Sequence, residues 1–109
     1  MARVTFAVTF VADLARQTEH LQAAQEWSRL DHLAEDIAGL RDRLARFPGL
    51  GRELTRERER SLRRIPVGRL PYFVWYLCDL RGEGVVEVQR IFHTRQQTPA
   101  PRVPVSRLI

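Results

Sequence analysis

The chain contains no lysine: all eighteen of its basic residues are arginine. Arginine's planar guanidinium favours two-point contacts with carboxylates and phosphates, which an ammonium group cannot make. A single cysteine, Cys78, rules out an intrachain disulfide and any paired-cysteine zinc site, and fits a reducing compartment. Sitting among strand-forming neighbours, that thiol reads as a small buried apolar group. No apolar run approaches the roughly 18 residues that a membrane-spanning helix requires. The apolar start "MARVTFAVTFVADLAR" is interrupted by Thr5, Thr9 and Asp13, so it reads as mature structure and not as a targeting segment. A cytoplasmic location is expected.

Motifs of catalysis are also missing. His20, His32 and His93 are scattered, which argues against a metal site. No glycine loop of the G-x-x-x-x-G-K kind is present, and Ser28, Ser61 and Ser106 lie outside any nucleophile elbow. Neither a metal nor a cofactor is expected.

What is present describes one small domain. The 109 residues are 44% hydrophobic and 28% charged, a balance typical of a globular chain. The charge is unevenly spread. Residues 1–50 hold six arginines against seven acids, leaving −1, whereas residues 51–109 hold twelve against six, leaving +6. The second half therefore carries the positive field, and an acidic protein or a nucleic acid is its natural partner.

"VTFAVTFV", Val4 to Val11, is rich in β-branched and aromatic residues and predicts a strand. From Val11 the spacing becomes helical, with Asp13 in the first turn, where the helix dipole favours a carboxylate. Ser28 and Asp31 resemble a capping box opening a second helix. Leu30, Leu33, Ala34, Ile37, Leu40, Leu44 and Phe47 then form its apolar stripe, and "FPGLG" ends it. "GRELTRERERSLRR", with six arginines and three glutamates, reads as an exposed connector, either a helical turn or a loop. "LRRIPV", "RLPYFVWYLCDL" and "GVVEVQRIFH" follow as three strands of an antiparallel meander, the last two joined by "RGEG". The tail from Gln96 carries Pro99, Pro101 and Pro104 and no acid, so it reads as an extended arm. A helical hairpin laid on an antiparallel sheet satisfies both apolar surfaces. The fold class is α+β, with residues 1–98 as the domain and 99–109 as the arm.

The residues left for function form a basic sheet edge: Arg63, Arg64, Arg69, Tyr72, Tyr76, Arg90, His93 and Arg95. Two roles stay open from the residues themselves. They can act on RNA, stabilising phosphate charge and moving a proton at a 2′-hydroxyl, or they can form a docking surface without chemistry. For Tyr72 and Tyr76 the plain alternative is a half-buried strand aromatic.

"FPGLGREL", "LRRIPVGRLPYFVWY" and "VVEVQRIFHTRQ" together resemble the RelE/ParE superfamily of type II toxins, in particular its ParE branch. The specific likeness covers about Leu44 to Gln96. It implies an N-terminal strand and a helical hairpin on a small antiparallel sheet, a cognate antitoxin as partner, and a heteromeric complex. ParE-like members inhibit DNA gyrase, whereas RelE-like members are ribosome-dependent mRNA endonucleases. In the nuclease branch the strand matching "YFVWY" carries an arginine where this chain has Phe73, and a phenyl ring cannot stabilise developing negative charge. The expectation is therefore a gyrase-inhibiting toxin with no catalytic residue. Arg64, Arg69, Tyr72, Arg90, His93 and Arg95 would form its partner-binding surface. The endonuclease, or a member with lost toxicity that acts only as a binding module, are the alternatives.

Overall fold

The computed structural model describes residues 1–81 and 84–104. In chain order the elements are β1 (Arg3–Phe6), α1 (Val8–Ala23), α2 (Trp27–Arg46), β2 (Arg52–Glu57), β3 (Arg60–Pro66), β4 (Tyr72–Asp79) and β5 (Val85–His93). The strands form one sheet in the order β1-β5-β4-β3-β2, and the helical hairpin covers one of its faces. The α+β class and the N-terminal strand followed by a helical hairpin are as the sequence predicts. Among the described residues no helix is long and apolar enough to cross a membrane.

The sheet is mixed rather than purely antiparallel. β2 to β5 form an antiparallel meander, but β1 runs parallel to β5, from Arg3 opposite Val85 to Phe6 opposite Val88. A parallel pair needs a long crossover, and here everything between β1 and β5 provides it.

Four local expectations are corrected. The predicted strand Val4–Val11 stops at Phe6, and α1 starts at Val8, so Asp13 lies beyond the first turn. The tertiary position of α1 beside β5 decides this boundary, not strand propensity. The Ser28 capping box does not form: α2 begins at Trp27, after Glu26, without a side-chain cap bond. Gln25, at φ 57°, makes the turn instead. The charged connector is in fact the β2–β3 hairpin, turning at Arg58 with φ 56°. Its few apolar residues suffice because Leu54 and Leu62 share one face, while arginine stems cover the rest. The "RGEG" turn includes Gly82 and Glu83, which lie outside the described residues, as do residues 105–109 of the tail.

The predicted stripe of α2 is real but narrower. Leu33, Leu40 and Leu44 are buried, Leu30 and Ile37 pack partly against them, Ala34 faces outward and Phe47 is 62% exposed. With Phe10 and Leu21 of α1 they meet Ile65, Val74, Val86, Val88 and Ile91 of the sheet. Gly68 sits at φ +51° directly against α2, where a side chain would collide with the Asp36 carboxyl. Only glycine satisfies both the turn and this approach. Below the sheet, away from the helices, Leu62, Phe73, Trp75, Leu77 and Phe92 form a second cluster.

Leu44 has no exposed surface, so Leu44→Ala opens a cavity between α2 and the sheet. The expected loss is about 2–5 kcal/mol, read as a lower urea midpoint with an unchanged slope.

Candidate functional site

The far end of β5 is built around a buried carboxylate. β1 leaves the edge of β5 after Phe6, and the start of α1 continues along the same edge. The Ala7 amide donates to the Val88 carbonyl at 2.9 Å, and the Thr9 hydroxyl to the Gln89 carbonyl at 2.6 Å. Asp13, only 3% exposed, accepts from the Ile91 amide at 3.2 Å. Its oxygens also receive the Arg90 guanidinium, Nε at 2.6 Å and Nη2 at 3.2 Å, and that of Arg16. This contact spans a pairing irregularity between β4 and β5 at Trp75 and Tyr76. Arg90, expected as a recognition cation, is thus half-buried in an internal ion pair.

The segment "HTRQ" closes as a turn. The Gln96 amide donates to the His93 carbonyl at 2.9 Å, and the His93 amide to Gln96 Oε1 at 2.7 Å. Gln17 of α1 donates to the same Gln96 oxygen at 2.8 Å. His93 Nδ1 accepts from the Arg95 amide at 3.1 Å, so the neutral ring carries its proton on Nε2. The imidazole sits edge-on to Tyr72 at 5.4 Å between centroids, on the side of the sheet that faces the helices. Tyr72, expected on the partner-binding surface, is buried, and burial raises its pKa. The Thr94 amide donates to Pro71 at 2.8 Å, tying this turn to the β3–β4 turn that carries Arg69. Arg69, Tyr72, His93 and Arg95 therefore meet at one end of the molecule. Only Arg69 and Arg95 are exposed, and neither has an ion pair among the described residues.

Arg64 lies on the other face. Its guanidinium stacks over Phe73 at 4.0 Å from the ring centroid. Phe73 is buried against Phe92, which also meets Trp75. Arg52 pairs across the strands with Arg64, and both line a groove of about 330 Å³ that reaches Tyr72, Phe73 and Thr94 at the end of the sheet.

Two residues of the predicted basic edge are structural. Tyr76 is fully buried, and its hydroxyl accepts the Gly51 amide at 2.7 Å. A Cβ at Gly51 would come within 2.9 Å of the Tyr76 ring and 2.7 Å of the Arg64 carbonyl. Arg63 donates to the Gly49 and Gly51 carbonyls at 3.0 and 2.7 Å. Together they hold the "FPGLG" segment against the sheet. Burial pushes the Tyr76 phenol up to about 12 and also raises the Cys78 thiol.

Asp13 was missed as a site-building residue. The signal was present: it stands three positions after Phe10, on the face of α1 that turns to the core, where an acid requires a partner. Among the described residues no group of three or more His, Cys, Asp or Glu side chains is placed to hold a metal ion. Arg64 and His93 stand on opposite faces of the sheet, whereas Arg69 and Arg95 lie at the His93 end.

Over residues 4–98 the sequence matches the family described as the ParE toxin of type II toxin-antitoxin system, parDE. No curated protein matches it.

Removing the Asp13 carboxylate leaves the Arg90 charge half-buried and the Ile91 amide unpaired. Asp13→Ala should cost about 3–5 kcal/mol in urea unfolding. The two tyrosines, the only ones in the chain, should also shape the alkaline limit. Both pKa values lie above the ordinary 10.0, so the unfolded chain releases these protons first. Their contribution is intact below pH 10 and is lost as pH rises toward 12. Phenolate absorbance should therefore appear together with the loss of far-ultraviolet circular dichroism, not before it.

Proposed function

The chain belongs to the ParE toxin family of type II toxin–antitoxin systems, and from that premise we propose that it is an inhibitor of DNA gyrase. In this reading it acts in the cytoplasm without chemistry of its own and is silenced by a cognate antitoxin. Residues 1–98 are the toxin domain and 99–109 an appended arm. The observation that carries the proposal is Phe73, a buried phenyl ring where the nuclease branch carries its cleavage arginine. Cleavage of RNA needs a proton-transferring group and a phosphate-stabilising cation within reach of one scissile bond. Arg64 covers Phe73 on the face opposite His93, Arg90 is held by Asp13, and the cations at the His93 end, Arg69 and Arg95, are exposed side chains free to meet a partner. That arrangement suits recognition better than catalysis.

Of the six partner-binding candidates, Arg69 and Arg95 are the direct contacts at the β5 end, and Arg64 is one on the opposite face. Tyr72, Arg90 and His93 shape the surface from beneath. The antitoxin fits the +6 half of the chain: an acidic segment, disordered alone, folds as it binds.

One observation favours the endonuclease reading as a second choice. The Arg64 guanidinium lies over Phe73, so a cation does stand near the position where the nuclease branch carries its arginine.

A single pair of assays separates the two. Purified protein should block gyrase supercoiling and leave ribosome-stalled mRNA uncut by primer extension. Arg95→Ala should weaken the gyrase effect by about 1–3 kcal/mol, the range for a charge-assisted contact, without unfolding. His93→Gln should cost less than tenfold, since no proton moves. Cleavage at ribosomal A-site codons, abolished by His93→Gln, would overturn the gyrase reading.

A further inference from the structure

The second apolar cluster lies on the face that the helices do not reach, yet Phe73, Trp75, Leu77 and Phe92 are each no more than 6% exposed. Part of their cover is the chain's own tail. Val103 packs against the cluster, and the Arg60 guanidinium donates to the Pro104 carbonyl. Thr98 and Pro101 line a groove with Trp75 and Arg64. Between its ends this segment has no regular structure, and Gln97 to Arg102 are exposed. Its prolines cannot donate a backbone hydrogen bond to the sheet.

The cover is poorly matched to what it hides. Trp75 Nε1 and Arg60 Nε are both buried without a hydrogen-bond partner. Trp75 belongs to the cluster itself and Arg60 holds the arm, so both orphaned donors lie where the arm meets the sheet. Buried donors are ordinarily paired, and an unpaired one weakens the state that buries it. Uncovering these two restores their access to water or to an acceptor on another molecule.

We propose that residues 97–104 are a detachable strap over a binding face, held by the Val103 contact and the Arg60–Pro104 hydrogen bond. The strap also indicates what the face accepts: an extended peptide offering an apolar side chain to the cluster and an acceptor oxygen to arginine. The inference does not depend on which cellular target the protein has.

Trp75 itself reports on the strap. The chain has two tryptophans, and Trp27 is 56% exposed, so Trp27→Phe in the full chain leaves Trp75 as the sole tryptophan, excited selectively over the tyrosines. In that background Trp75 should emit in the blue and resist acrylamide. Adding Val103→Asp should shift emission to the red and raise quenching several-fold, with the far-ultraviolet spectrum unchanged. A chain ending at Gln96 should behave likewise, and a synthetic peptide of residues 97–104 should reverse the shift. Unchanged emission and quenching in both altered chains would show that the arm covers nothing. Loss of the cooperative fold in both would show that the arm belongs to the core. Either result overturns the proposal, as does a peptide without effect on a folded shortened chain.

Discussion

One carboxylate decides how the two halves of this fold meet. Asp13 is buried on α1 and satisfied by Arg90, Arg16 and the Ile91 amide. An ionised acid inside a domain is tolerated only when fully paired. That requirement fixes the register of the helix along β5. With Thr9 on the Gln89 carbonyl, it also meets the backbone groups that β1 leaves unpaired beyond Phe6. The Arg90 guanidinium is drawn into that anchoring beside the irregular pairing of β5 with β4.

A similar economy operates at the opposite end of α2. The Tyr76 hydroxyl and the Arg63 guanidinium, both rooted in the sheet, take up the backbone of "FPGLG". This motif carries part of the family likeness, and its physical content is now clear. Gly51 is required because the Tyr76 ring and the Arg64 carbonyl leave no room for a side chain. Helix end, loop and sheet are joined by polar contacts.

The sequence made legible whatever rests on periodicity and turn chemistry. The stripe Leu33–Leu40–Leu44, the glycine turn after Pro66 and the three C-terminal strands are all readable from spacing. The β2–β3 hairpin was not, because a strand whose exposed side is built of arginine and glutamate has no apolar alternation. The boundary of α1 was not, since Val8 to Val11 suit a strand as well as a helix and only docking beside β5 chooses between them. At the site, Arg64, Arg69 and Arg95 were found as charges, but charge alone says nothing about faces. That His93 and Arg64 fall on opposite sides of the sheet emerges only when the register is known. Arg90 looked like a free cation because its partner, Asp13, is remote in sequence.

The parallel pairing of β1 with β5 bears on how the protein comes into being. Arg3 must find Val85 and Phe6 must find Val88, contacts that join the beginning of the chain to a strand near its end. Such long-range closure costs the most chain entropy and forms late. β1 and the helical hairpin leave the ribosome well before β5, the edge they dock on. A fold built this way assembles its β5-end surface only after β5 has been made, so a chain broken off before β5 lacks it.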